Sequence, residues 1–432
     1  MTTETRDRRV ALVVSAVVPL IAWYVYERIF EVQPFSNDNV RILFWANSAS
    51  ASALLRGDPA VYPEWRPLAY LTVWLQYRWS QIDHLEAYYV VNVLLWTGCA
   101  WLVCHIVYRL TRSSVPALLA AAIVVTDPRA VVATIGFLER ATSMACLFGL
   151  TALLIIISVG DQRLTRLRWI GLSLLLLASG LSKEYGMAFT GAVAVSSLIE
   201  RRRDVATAAI AAGVTYALLR IGFAGGATAR YCEEMGYFLT VRQVCFDGVH
   251  SEVVKQAAYN VAATGVGSIL PGVFAEWGEV GIAPRWVATS AVWLAAAALG
   301  WSKGSTPVMR MTLLVVAFNA ALSFVIYRDR NHLVALCALG IAVGVGLAVA
   351  SAKVQASRWP RFMRGTGAAG LLVLLWAQAT ATREIVSAEI ADSRHLDPCE
   401  ALAEGRPLDP AFVRQIKTAY GMPNPNCVPD QP

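Results

Sequence analysis

A few ionisable groups interrupt an otherwise apolar chain. Asp38 closes the segment Phe35-Ser36-Asn37-Asp38, and Arg66 stands between Trp65 and Pro67. Glu139 is followed by Arg140, Lys183 by Glu184, and Arg328, Asp329, Arg330, Asn331 and His332 form one short run. Cations beside a membrane suit the phosphate of a lipid carrier, because arginine offers an oxyanion a bidentate fork and lysine a point charge. A carboxylate in the same place suits a general base that deprotonates an acceptor hydroxyl. Together the two types describe group transfer from a lipid phosphate. Read singly, each has a plainer use. Asp38 serves as well as a loop acid or helix cap, and Arg66 as a snorkelling interfacial arginine. Lys183 and Glu184 read as a neighbouring ion pair, residues 328–332 as a polar turn, and the flanking Trp and Tyr residues as an interfacial belt. The functional reading gains weight only if the groups share one membrane face.

The elements that would bring them there are membrane helices. The 432 residues are 56% hydrophobic and 16% charged, with a mean hydropathy of +0.51, whereas soluble domains carry about 25% charged residues. The net charge of +7 sits in short clusters between apolar runs, which is the pattern of cytoplasmic loops and not of a nucleic-acid-binding face. Apolar runs over 10–30, 87–110, 115–127, 131–159, 168–182, 184–200, 203–223, 286–302, 309–327, 331–351 and 366–383 predict about eleven crossings. The first run ends in Trp23, Tyr24, Tyr26, Glu27 and Arg28 without a small-residue cleavage site, and so reads as a retained anchor and not as a signal peptide.

Charge orients these spans. Arg6, Arg8 and Arg9 put the N-terminus in the cytoplasm. Arg109 and Arg112, Arg163 to Arg168, Arg201 to Arg203, and Lys353 to Arg364 fall inside as well. Asp38, Arg66, Glu139, Arg140, Lys183, Glu184 and residues 328–332 then fall on the outer face, where costly ionisable groups near membrane depth point to a functional cavity. Tyr259 to Phe274 is apolar but contains Gly265, Gly267, Pro271 and Gly272, and counting it as a crossing would turn the 353–364 cluster outward. It reads as re-entrant or interfacial. The division expected is a transmembrane domain over 1–383, with a first outer loop at 31–86 and a second at 224–285, and an outer tail at 384–432. Cys99, Cys104, Cys146 and Cys337 lie within spans as small apolar residues. Cys232, Cys245, Cys399 and Cys427 fall on the oxidising side and are expected to pair as 232–245 and 399–427.

In this order the segments resemble a known family. Phe35 to Asp38, Trp65-Arg66-Pro67-Leu68-Ala69-Tyr70-Leu71, Tyr88 to Leu95, Glu139-Arg140-Ala141, Leu181 to Gly186 and Arg328 to Leu333 are similar to the GT-C superfamily of polytopic glycosyltransferases that use polyprenyl-phosphate sugars. The nearest resemblance is to bacterial relatives of the protein O-mannosyltransferase-like and tetratricopeptide-bearing membrane mannosyltransferases. It covers the first 200 residues well and the rest loosely. It implies an all-α GT-C-like bundle, with Asp38 as the first-loop acid that acts as base or binds acceptor, and Arg66 in a juxtamembrane segment roofing the cavity. It also implies Lys183 and Arg330 as contacts of the carrier phosphate, and Glu184 as a residue that orients Lys183 or binds sugar. Many members carry two adjacent acids after the first span. Here the pair is Asn37 and Asp38, so the role rests on Asp38 or on a shifted register. The tetratricopeptide repeats are absent, and a short tail stands in their place.

The reading that follows is an inverting transfer of one sugar, mannose by family weighting, from a polyprenyl phosphate to a hydroxyl on a glycan, lipid or protein. Lys183, Arg330, Arg66, Arg140 and His332 would hold the donor, and Asn37, Glu184 and Glu139 the sugar or acceptor. No cofactor is expected, although a divalent metal held by Asp38 and Glu184 stays open. The partners are membrane lipids, the lipid-linked donor and the acceptor, with no nucleic acid. The location is a bacterial inner membrane, with the site and the C-terminus outside. Rival readings are a carrier transporter or flippase, which should show inverted repeats and midplane charges, and a non-catalytic subunit of an envelope glycan assembly. Transfer of phosphoethanolamine is a further enzyme reading, without a His and Asp metal cluster to support it.

Overall fold

The structure, a computed structural model, describes residues 16–32, 37–48, 50, 52–53, 65–80, 84, 86–223, 251–269, 283–303, 307–323, 332–355 and 360–395. The described secondary structure is helical. Helix α1 covers 16–26 and runs into a 3-10 turn at Glu27–Glu31. Then follow α2 (Asn37–Ser48), α3 (Pro67–Ser80), α4 (Glu86–Thr111), α5 (Ser114–Val125), α6 (Ala130–Ile135), α7 (Arg140–Val159), α8 (Arg166–Ser182), α9 (Met187–Ile199) and α10 (Arg203–Phe223). The remainder comprises α11 (Ser251–Ile269), α12 (Ala283–Lys303), α13 (Pro307–Leu322), α14 (His332–Gln355) and α15 (Pro360–His395). Proline opens α3, α13 and α15, where its missing N–H costs nothing. Thr165 caps α8 by accepting the Arg168 N–H, and Gly160 ends α7 with a φ of 56°.

Among the described helices, α4, α7, α10 and α14 are long and apolar enough to cross a membrane, and shorter apolar stretches lie in α5, α12 and α13. Helix α14 is the centre of the bundle, packed on α4, α5, α7, α12 and α13. Its closest neighbour is α12: a Cβ at Gly346 would overlap the Ala296 carbonyl, and one at Gly300 the Ala342 carbonyl. Small residues of this kind let membrane helices pack backbone to backbone. Cys99, Cys104, Cys146 and Cys337 are buried, unpaired thiols within this core.

The described parts of the expected spans are mainly helical, and one span is broken. The fourth, expected to be continuous over 131–159, is broken at 136–139 into α6 and α7. Gly136 is extended there, and buried asparagines from α2 and α4 take over the backbone groups that the break releases. Of the segment expected to be re-entrant or interfacial, residues 259–269 belong to α11, and 270–274 lie outside the described residues. This helix starts at Ser251, runs through Gly265 and Gly267 without interruption, and packs on α13 and α14. The tail boundary at 383 falls inside α15, a helix of 36 residues, which at about 1.5 Å per residue is ~54 Å long. Arg383 anchors it to α1 through the Tyr24 carbonyl (2.7 Å) and Glu27 (2.8 Å), and Thr382 donates to the Thr126 carbonyl (2.6 Å).

The helix directions give the bundle two chemically different ends. Arg109 and Arg112, Arg163 to Arg168, Arg201 to Arg203 and Lys353 lie at one end. The other end gathers Arg66, the 126–139 segment, the 183–186 turn and His332.

Candidate active site at the polar end of the bundle

The broken fourth span is the foundation of this end. Asn92, on α4 and fully buried, donates from Nδ2 to the carbonyls of Thr134 (3.2 Å) and Gly136 (2.9 Å). Asn39, on α2, donates to the Ile135 carbonyl (3.3 Å) and accepts the Phe137 N–H (2.8 Å). Phe137 stacks on Tyr88 at 4.7 Å and lies 5.2 Å from Tyr89. The break therefore sets two adjacent charged residues, Glu139 and Arg140, at the start of α7 inside packed protein.

Lys183 reaches this point from the next helix pair. Helix α8 ends at Ser182, Lys183 is extended, and a 3-10 turn over Glu184–Gly186 leads into α9. Only glycine fits at 186, because a Cβ would overlap the Ser179 carbonyl. Ser179 in turn donates to the Ala145 carbonyl of α7 (2.7 Å). The Lys183 ammonium meets Glu139 Oε2 at 2.9 Å and Thr142 Oγ1 at 2.7 Å, and Thr142 donates to the same Glu139 oxygen at 3.0 Å.

Glu184 faces elsewhere. Arg66 grips it with two bonds, Nε to Oε2 at 3.2 Å and Nη2 to Oε1 at 2.9 Å. Burial is the largest single influence on the Glu184 carboxyl and pushes its pKa up, but the Arg66 charge and hydrogen bond, together with the Lys183 charge, outweigh it and bring the pKa down to about 2. Lys183 and Glu184 are thus not a neighbouring ion pair. They tie the turn to two different elements, Lys183 to α7 and Glu184 to the first loop.

A third group was not singled out from the sequence. Asp127 and Arg129 close a buried bidentate pair, Nε to Oδ1 at 2.7 Å and Nη2 to Oδ2 at 2.7 Å. The Asp127-Pro128-Arg129 run at the end of an apolar span was the available signal. His332, also buried, lies near Arg129 and bonds the Thr264 backbone, which associates it with this cluster. Asn39, Asn92 and Thr142 were missed too, since short uncharged polar residues give no charge signal in an apolar chain.

Charge accounting sets one residue apart. Arg66, Arg129, Arg140 and Lys183 are 3%, 5%, 1% and 1% exposed. Arg66, Arg129 and Lys183 each face a carboxylate. Arg140 donates from Nε to Asn92 Oδ1 (3.1 Å) and lies over the Tyr88 ring at 5.7 Å. Among the described residues no carboxylate pairs with it, and its buried Nη2 makes no hydrogen bond. A buried cation without a counter-charge is costly, so this arrangement favours an anion.

The remaining expected site residues are only partly placed. Asn37 and Asp38 form the first turn of α2, with their side chains outside the described residues; Arg330, Cys232, Cys245, Cys399 and Cys427 lie outside them entirely. Among the described residues, no three His, Cys, Asp or Glu side chains converge as metal ligands.

No family model matches the chain, and no curated protein matches it. Among solved structures it is similar to the archaeal oligosaccharyltransferase AglB from Archaeoglobus fulgidus, a complex with an inhibitory peptide and a dolichol-phosphate. The TM-score is 0.56 at 13% identity, over 98% of this chain and 61% of AglB. The chain thus spans about three fifths of that protein's length. At this identity the likeness is one of fold: the described residues form an all-helical bundle folded like that of AglB, with four helices long and apolar enough to cross a membrane.

Proposed function

We propose that the polar end transfers a sugar from a polyprenyl-phosphate carrier to an acceptor hydroxyl. The observation that carries this reading is the buried guanidinium of Arg140, lacking a carboxylate among the described residues, beside the segment that anchors the Asp38 helix. The dolichol-phosphate in the AglB complex supports a lipid phosphate as the anion. Asp38 takes the proton of the acceptor hydroxyl, whose oxygen attacks the anomeric carbon as the bond to the phosphate oxygen breaks. The configuration inverts, and the carrier leaves as polyprenyl phosphate. Arg140, with Lys183 and Arg330, stabilises the charge that builds on the leaving phosphate, where fixed cations act most strongly. Arg66 and Glu184 hold the first loop over the site, and Glu139 sets Lys183. Mannose is the first sugar to test, and glycan, lipid and protein hydroxyls are the acceptor classes.

The test is Asp38→Asn in membranes supplied with labelled polyprenyl-phosphate sugar. We expect transfer to be abolished, with expression and carrier binding kept. Transfer at the wild-type rate by this variant sinks the base role.

A further inference from the structure

We propose that Asn39 and Asn92 are positioning residues with separate tasks, Asn39 setting the register of Asp38 and Asn92 aiming Arg140. The inference rests on the reading above, in which Asp38 is the base and Arg140 contacts the carrier phosphate.

Both asparagines are buried, at 4% and 0% exposure, and from different elements each grips two residues of the segment 134–137. The helix break at 136–139 takes the Thr134 and Ile135 carbonyls and the Phe137 N–H out of the helical ladder, while the Gly136 carbonyl keeps the Glu139 N–H, and in a membrane bundle such groups must be satisfied by protein. Asn92 takes the carbonyls of Thr134 and Gly136, and Asn39 takes the Ile135 carbonyl and the Phe137 N–H. An amide is the side chain that suits this, since it offers two donors and an accepting oxygen together. Each asparagine is also attached to a different reactive group. Asn39 is next to Asp38 in the first turn of α2, so its two bonds fix that turn against the start of α7. Asn92 spends its oxygen on Arg140 Nε, which holds the guanidinium by one edge and leaves Nη2 for an anion. A displacement of about 1 Å can cost ~100-fold in rate, so small errors in either clamp should register in activity.

A purely structural role predicts that the two residues behave alike, because they hold the same segment. Positioning predicts a split. Full-length protein in nanodiscs is assayed for binding of polyprenyl phosphate, and for label transfer from polyprenyl-phosphate mannose, glucose and arabinose. Asn39→Ala is expected to lower kcat about 100-fold with the donor KM and polyprenyl phosphate binding unchanged. Asn92→Ala is expected to weaken polyprenyl phosphate binding and raise the donor KM about 10-fold, with a smaller effect on kcat. If alanine unfolds either site, Asn39→Ser and Asn92→Ser, which keep an accepting oxygen, are read in the same two measurements. Equal effects of the two substitutions on kcat and binding, or no effect of either, overturn the inference while the loss of transfer in Asp38→Asn still stands. A wild-type protein that does not bind polyprenyl phosphate, or that binds it and transfers none of the three labels, overturns the parent reading and this inference with it.

Discussion

Arg140 carries the most testable chemistry at the scale of single residues. Among the described residues, three of the four buried cations at the polar end face carboxylates, and Arg140 instead has an asparagine oxygen and a tyrosine face. Neither cancels a full charge, and burial without a counter-charge is expensive. Proteins retain such residues where function needs them, at a cost in stability. Arg140→Met keeps the length and apolar volume and removes the charge. It is expected to stabilise the ligand-free protein by about 1–3 kcal/mol, as replacement of buried charges by apolar residues often does, and to abolish polyprenyl phosphate binding. Denaturant unfolding in micelles and a lipid-binding assay check the two halves. A destabilised variant with intact binding would mean that Arg140 is structural.

Arg66 and Glu184 act at the scale of elements. Through them the first loop, just before α3, is locked to the turn between α8 and α9, and Trp65 packs near Tyr216 of α10 at 6.1 Å. The Glu184 pKa is depressed from 4.5 to about 2 because Arg66 and Lys183 outweigh burial. A depressed carboxyl contributes its stability in full above the unfolded value of 4.5, and loses it as pH falls through about 2. The stability gap between wild type and Glu184→Gln is therefore expected to hold constant from about pH 8 to pH 5 and to close only in strong acid. Melting temperatures across that range decide it, and a gap that vanishes by pH 5 would show that Arg66 and Lys183 do not hold the Glu184 carboxyl below its ordinary pKa. The same elements mark what the sequence could and could not reveal. Apolar runs located the helices because a membrane core demands about 20 residues of them. Glu139, Lys183 and Glu184 stood out because charge is rare there. Their partners did not, since Lys183 and Glu184 are adjacent in the chain and only the extended Lys183 and the tight turn at Gly186 send them to different neighbours. The break at Gly136 was equally hidden, because two distant asparagines sustain it within an otherwise apolar run.

For the whole molecule the open quantity is direction. The helices place one polar end against one basic end, and that separation does not depend on which side is the cytoplasm. Charge supplies the orientation. Arg109 and Arg112, Arg163 to Arg168, and Arg201 to Arg203 all flank short connections at the basic end, which is the situation in which the positive-inside rule is strongest. Of the described cations at the polar end, Arg66, Arg129 and Lys183 are buried in ion pairs and present no charge to solvent, which leaves exposed cations such as Arg220 against the arginine clusters of the basic end. The site is therefore expected to face the extracytoplasmic space. Replacing Cys232, Cys245, Cys399 and Cys427 by serine leaves the four buried thiols, which a polar reagent should not reach. On that background His84→Cys, at the polar end, should react with a membrane-impermeant maleimide on intact cells, and Gln162→Cys, between α7 and α8, only after permeabilisation. The opposite pattern would invert the bundle and turn the site, with its lipid phosphate and acceptor, toward the cytoplasm.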